Sequence, residues 1–186
     1  IGLKNNKELK FTERKKFLYK IYTNIKKNYK ILAKLETLET GKNIDDARKE
    51  ILHSAKIWLY ASKFIKNNSF SKKLDKNHKA IVNFEPVGIV ALIVPWNFPF
   101  VVMSERLPFI MAAGNSVIIK PSEYASQSLM YLMNIIKKVN LPTGIVNLVT
   151  GSGPKAGFLL TNNKNVNMIS FTGSTFVGKK IIKNYA

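Results

Sequence analysis

At 186 residues the chain is long enough for one domain with a real hydrophobic core, and a composition that is 46% hydrophobic and 11% aromatic argues against a disordered tail. Thirty Lys and Arg against 11 Asp and Glu give a net charge of +19, which raises nucleic acid or an anionic membrane as partners. The lysines are scattered among Asn and Ile without an aromatic-interleaved basic motif, so no nucleic acid is expected. The absence of cysteine excludes disulfides, thiolate metal sites and a cysteine nucleophile among these residues.

The chain opens on Ile1, and Gly178 to Ala186 still reads as helix at the last residue, so both ends look cut. No basic-then-apolar leader opens it, and the longest apolar stretch, Val87 to Pro95, is far short of the roughly 20 residues that span a bilayer. No membrane is therefore expected, and the location expected is cytoplasmic.

Thr12 is a candidate N-cap for a first helix with Phe17, Leu18, Ile21, Tyr22 and Ile25 on one face. A second helix carries Ile31, Leu32, Leu35 and Leu38 and ends at Gly41, a residue suited to a left-handed cap. The third runs from about Asp45 to Ile65, with Ile51, Ala55, Trp58, Leu59 and Ile65 inward. Residues 1–78 thus read as a helical segment packing on a cofactor domain at 79–186. The polar stretch from Asn67 to Lys79 marks the boundary; the glycosylation match Asn67-Asn68-Ser69 within it is read as chance.

Beyond the boundary, Ala80 to Phe84 and Val87 to Val94 read as strands separated by Glu85-Pro86. A helix over Phe100 to Ala113 follows, then a strand at Ser116 to Ile119 and a helix from about Ser126 to Val139. The rest reads as a strand at Ile145 to Val149, a helix at Pro154 to Leu160, a strand at Met168 to Phe171 and a helix from Ser174. Repeated strand–helix units imply an α/β fold, a Rossmann-like parallel sheet with flanking helices. Ligands of such sheets sit beyond the carboxyl ends of the strands.

Those ends carry Pro95-Trp96-Asn97-Phe98-Pro99, Lys120-Pro121-Ser122-Glu123, Gly151-Ser152-Gly153-Pro154 and Phe171-Thr172-Gly173-Ser174. Helix starts with free N–H groups favour phosphate, and a carboxylate favours ribose hydroxyls, an inventory that suits a dinucleotide. Read alone, Asn97 would first be a cap for the next helix and Lys120–Glu123 a surface ion pair of little energetic weight.

The order Glu85-Pro86-Val87-Gly88, Pro95-Trp96-Asn97-Phe98-Pro99, Ala112-Ala113-Gly114-Asn115, Lys120-Pro121-Ser122-Glu123, Leu141-Pro142-Thr143-Gly144-Ile145-Val146-Asn147 and Phe171-Thr172-Gly173-Ser174 resembles the aldehyde dehydrogenase family, motif by motif and in spacing. The resemblance runs from about Thr12 to the end, more loosely before Glu85. It implies that Asn97 donates to the oxyanion formed when a thiolate attacks an aldehyde. Lys120 and Glu123 would hold the adenosine ribose, with Pro121 and Ser122 in the same turn, and the carboxylate would favour NAD over NADP. Ser174 and Trp96 would contact the pyrophosphate and Val177 the adenine. Val94, Pro95, Thr172 and Gly173, with Phe171 before them, would line the nicotinamide side, and Gly153 and Gly157 would flank a helix start. The substrate implied is a small aldehyde, and the complete enzyme would be a homodimer or homotetramer. Its nucleophilic cysteine and its glutamate base would lie after Ala186, so the chain alone is expected to be inactive.

Two other patterns compete. The last glycine of Gly151-Ser152-Gly153-Pro154-Lys155-Ala156-Gly157 falls one residue late for the common dinucleotide fingerprint. In Gly173-Ser174-Thr175-Phe176-Val177-Gly178-Lys179-Lys180, Lys180 replaces the hydroxyl residue that a nucleotide hydrolase needs for magnesium. Glu105, seven residues after Phe98, reads as sharing its helical face near the aldehyde's path, which suggests a polar or cationic aldehyde. Arg106 stands where many relatives have lysine, and its role is left open. His53 and His78 show no metal-ligand spacing, so no metal is expected. The alternatives to an enzyme portion are a non-catalytic dinucleotide-binding module and a basic nucleic-acid-binding protein.

Overall fold

The computed structural model describes residues 2–64 and 69–185. It opens with helices α1 (Gly2–Glu8), α2 (Phe11–Lys27), α3 (Tyr29–Thr40) and α4 (Ile44–Phe64). Helix α1 was not foreseen. It is anchored by Asn6, a buried residue whose side-chain amide donates to the carbonyl of Asn115 at 2.6 Å. Helix α2 begins one residue before Thr12: its N-cap is Lys10, whose backbone N–H donates to Glu13 at 2.7 Å. The left-handed cap of α3 at Gly41 is present, with φ 73°.

The buried face of α3 is Leu32, Ala33 and Glu36, whereas Ile31 and Leu38 are exposed. Leu38 had been placed inward because apolar spacing alone chose the stripe. A buried acid is the true member of that face, and it takes partners from two later helices. In α4 the inward residues Ile51, Ala55 and Trp58 are buried as expected, while Ile65 lies outside the described residues, as do Asn67 and Asn68.

The stretch read as a polar linker holds a strand. β1 (Phe70–Lys73) pairs antiparallel with β2 (Lys79–Val82), and the hairpin forms a sheet of its own. Its turn is closed by Asp75, which accepts from the backbone N–H groups of Asn77 and His78. Two-residue alternation is masked here by lysines at strand positions, which is why composition alone suggested a loop.

The main sheet contains β3 (Ile89–Ile93), β4 (Ser116–Lys120), β5 (Val146–Leu148) and β6 (Met168–Phe171), in the order β5-β4-β3-β6, all parallel. Alternation sends Val90, Leu92, Val94, Val117 and Ile119 into one core with α2, α3 and α4 and with α5 (Pro99–Ser104), α6 (Leu107–Ala112) and α7 (Gln127–Lys138). Ala91, Ile93 and Ile118 face the other side, against Leu160 of α8 (Phe158–Thr161) and Val166.

The expected helix over 100–113 is two. Pro108 cannot donate to a preceding turn, so α5 stops at Ser104 and α6 starts afresh at Leu107. Glu105 is consequently the C-cap of α5 and Phe98 its non-helical N-cap, so the two do not share a helical face. The helix expected at 154–160 is a wide π turn over Gly153–Gly157 followed by α8. The last helix, α9 (Thr175–Tyr185), begins one residue after Ser174.

β3 is followed by helices on one face and β6 by α9, which joins α8 on the other, so the direction of winding reverses between β3 and β6. The gap beyond their carboxyl ends is where an open parallel sheet has room for a ligand.

Candidate cofactor crevice

Backbone bonds hold the four strand ends in register just beyond the sheet. Val94 N–H donates to the Lys120 carbonyl at 3.2 Å, Thr172 N–H to Ile93 at 3.1 Å, and Val149 N–H to Ile119 at 2.9 Å. The result is an open crevice of about 460 Å³ lined by Ile93, Val94, Pro95, Trp96, Asn97, Lys120, Ser122, Glu123, Phe171, Thr172, Gly173, Ser174 and Val177. Twelve of those thirteen are residues singled out in the sequence. Pro121, Gly153 and Gly157 do not line it and act behind it instead.

Lys120 is only 3% exposed, so the surface ion pair is the wrong picture. Its ammonium donates to the Pro121 carbonyl at 2.9 Å and to Glu123 Oε2 at 3.4 Å. Pro121 therefore serves through its backbone. The Gly153 N–H donates to Glu123 Oε1 at 3.3 Å, so the glycine turn steadies the carboxylate. Gly157 lies against the lysine stem: a Cβ there would stand 4.0 Å from Lys120 Cδ and Cε, an ordinary contact. The Glu123 carboxyl is held below its usual pKa by its own backbone N–H first, against some burial cost, and then by the Gly153 N–H and Lys120. It is a carboxylate throughout the neutral range.

On the opposite wall, Ser174 Oγ accepts the Val177 N–H at 3.3 Å and so caps α9. Gly173 is required by its neighbour, because a Cβ at that position would stand 2.5 Å from the Phe171 ring. That ring fills the space where a side chain would go and keeps the wall low.

Asn97 does not cap α5, whose N-cap is Phe98. Its side chain is exposed, and its amide has no hydrogen-bond partner among the described residues, so it is available to an incoming acceptor. Trp96 and Asn97 also line a second hollow of about 520 Å³, formed with Thr40, Lys42, Asp46, Lys49, Glu50 and Phe98. Asn97 thus stands on the ridge between two hollows. Glu105 lines neither; it pairs with Arg106 at 3.3 Å. Among the described residues no group of three His, Cys, Asp or Glu side chains could hold a metal, and no helix is long and apolar enough to cross a membrane.

Three residues that matter here were not foreseen. Glu36, fully buried, accepts the Phe100 N–H at 3.0 Å and the Ser128 hydroxyl at 3.3 Å through Oε1, and pairs through Oε2 with Lys42 at 3.3 Å. Glu39 Oε1 accepts the N–H groups of Ser126 and Gln127, each at 2.8 Å. Lys42 also pairs with Glu50, and its ammonium lies 4.5 Å from the centre of the Phe98 ring. The available signal was an acid at four-residue spacing from Leu32 on an apolar helical face, since a buried acid demands partners.

The comparisons agree with this geometry. The model of the aldehyde dehydrogenase family matches residues 2–186. The chain belongs to the aldehyde dehydrogenase family. It is 38% identical over 174 residues to the NADP/NAD-dependent aldehyde dehydrogenase PuuC of Escherichia coli (strain K12), covering 92% of this chain and 35% of that protein. It is 38% identical over 174 residues to aminoaldehyde dehydrogenase 2 of Zea mays, covering 91% of this chain and 34% of that protein. Its fold is similar to the crystal structure of the NAD-dependent aldehyde dehydrogenase from Sinorhizobium meliloti, with TM-score 0.92 and 36% identity over 95% of this chain and 36% of that one. It is likewise similar to the NAD+ complex of aldehyde dehydrogenase from Bacillus cereus, with TM-score 0.94 and 32% identity over 96% of this chain and 37% of that one. The chain spans about a third of the length of these relatives.

Proposed function

We propose that this aldehyde dehydrogenase family chain supplies the cofactor site and the oxyanion donor for oxidation of an aldehyde to a carboxylic acid, with NAD as the hydride acceptor. The observation that carries this reading is the placing of Asn97 between two hollows. One hollow is lined by a cation, a carboxylate and a capped helix start, the groups that suit a dinucleotide; the other opens onto the same amide from the opposite side. A reaction passing a hydride from an aldehyde to a nicotinamide needs both ligands to meet at one donor, and Asn97 is that donor.

In this arrangement Glu123 accepts from the ribose hydroxyls, and its charge repels a 2′-phosphate, which favours NAD over NADP. Lys120, buried and already ion-paired, holds Glu123 in place and adds positive potential. The start of α9 at Ser174 takes the pyrophosphate. Pro95, Val94 and Thr172 wall the nicotinamide side. Bound NAD supplies the hydride acceptor; the protein binds it, orients it and presents the Asn97 amide to the oxygen that becomes negative. The cysteine and the general base of the reaction are supplied by sequence following Ala186 in the complete enzyme. The resemblance to the aldehyde dehydrogenases extends the reading to a soluble cytoplasmic homodimer or homotetramer that needs neither nucleic acid nor membrane.

The test is a pair of titrations of the purified chain with NAD and NADP, read by tryptophan fluorescence, since Trp96 lines the crevice. Saturable binding with NAD the tighter ligand is the expected result. Binding of neither removes the cofactor assignment, and tighter binding of NADP removes the role given to Glu123.

A further inference from the structure

The two loops that bear the chemistry each end where a helix begins. Trp96 and Asn97 lead into α5 at Pro99, and Lys120 to Glu123 lead through a short turn into α7 at Gln127. In neither case does the helix's own N-cap side chain bond its first turn. The orphan N–H groups are taken by α3. Glu36 holds the Phe100 N–H in the first turn of α5 and reaches the Ser128 hydroxyl in the first turn of α7. Glu39, one turn further on α3, holds the N–H groups of Ser126 and Gln127. Residues three apart share a helical face, so two carboxylates on one helix grip the starts of two others.

Helix starts carry partial positive charge and unsatisfied donors, so a carboxylate is the strongest neutral-pH partner for them. The grip is also braced. Lys42 pairs with Glu36 and lies over the Phe98 ring, one residue from Asn97. Glu36 keeps this arrangement although burial raises its carboxyl above the ordinary range, a cost that a neutral or apolar residue would avoid.

We propose that Glu36 and Glu39 are positioning residues of the crevice, setting through the first turns of α5 and α7 the places of Trp96, Asn97, Lys120 and Glu123. This rests on the reading of the crevice as the NAD site. Neither residue touches the ligand; each acts on the loop that does.

The purified chain is titrated with NAD as Glu36→Gln, Glu39→Gln and, as a comparator, Ile25→Val, a core change in α2 far from the crevice. All are measured at a temperature where circular dichroism shows full folding. Affinity is expected to fall roughly three- to tenfold in the two glutamine variants and to stay unchanged in Ile25→Val. Unchanged affinity in both glutamine variants, or an equal loss in the comparator, overturns the proposal. Should Glu36→Gln fail to fold, the partly exposed Glu39→Gln decides. Hydrogen exchange separates this idea from the cofactor assignment, because it needs no ligand. Faster exchange confined to peptides over 94–100 and 120–128 supports the positioning role even if the wild-type chain binds no NAD. Unchanged exchange there, or acceleration spread evenly over α2 to α4, overturns it.

Discussion

At the scale of single residues, the decisive feature is that the charges of the crevice are built in rather than displayed. Lys120 is buried and doubly engaged, and Glu123 is fixed by a lysine and a glycine N–H. Glu123→Gln is expected to weaken NAD binding by about 1–2 kcal/mol, some five- to thirtyfold, and to narrow the gap to NADP, as titration of both cofactors would show. Because the folded-state pKa of Glu123 lies below its ordinary value, its contribution to stability is present above that value and is lost as pH falls through the folded-state value. Glu36 has the opposite sign. Its folded-state pKa is raised, by burial first and in spite of Lys42 and the Phe100 N–H, so protons bind the folded form more tightly and its contribution falls as pH rises from the ordinary carboxylate range through the folded-state value. The melting temperature of wild type relative to Glu36→Gln should therefore be higher near pH 4 than at pH 7; a difference that grows with pH would show that the charged form is the stabilised one. Glu123 was legible because it follows an apolar strand in a recognisable turn. Glu36 was not, because its partners come from 64 and 92 residues away and nothing local announces them.

At the scale of elements, strands and helix caps were readable wherever the cause is local. Gly41 ends α3 because only a residue without a side chain accepts that backbone freely, and the apolar runs of β3, β4 and β6 lie within about a residue or two of the expected positions. The α5–α6 break was missed although Pro108 was in view, since the apolar periodicity on either side of it stays in phase. The hairpin was missed because four residues of strand rich in lysine look like a solvated loop. Helix α5 is tied to α4 by one buried bond, from the Trp58 indole N–H to Ser104 Oγ at 3.1 Å. Ser104→Ala leaves that N–H unsatisfied and should cost about 1–3 kcal/mol in denaturant unfolding. Gly173→Ala sets a methyl against the Phe171 ring and should lower NAD affinity without unfolding the chain, whereas Gly157→Ala, which meets only an ordinary contact at Lys120, should leave affinity nearly unchanged.

At the scale of the whole molecule, function follows from where a parallel sheet changes its winding. The reversal between β3 and β6 opens a gap, and the chain fills its rim with an amide, a lysine–glutamate pair and a capped helix start. Of this crevice, the lining was readable from motif order, while its bracing by α3 emerges only from the packing of distant segments. The chain alone is expected to produce no NADH with any aldehyde, because it carries no cysteine nucleophile; measurable aldehyde-dependent NADH would contradict that. Its charge of +19 is spread along helices and should give at most weak oligonucleotide binding that fades as salt rises. The lysines Lys15, Lys16, Lys20 and Lys63 do surround a hollow between α2 and α4, remote from the strand ends in the sequence, and an anionic ligand held by charge alone would settle there. Backbone amide shifts in a 15N-labelled sample titrated with NAD distinguish the two. Changes confined to residues 93–97, 120–123 and 171–177 are predicted; changes centred on 15–20 and 62–63, with the strand ends unmoved, would contradict the cofactor crevice.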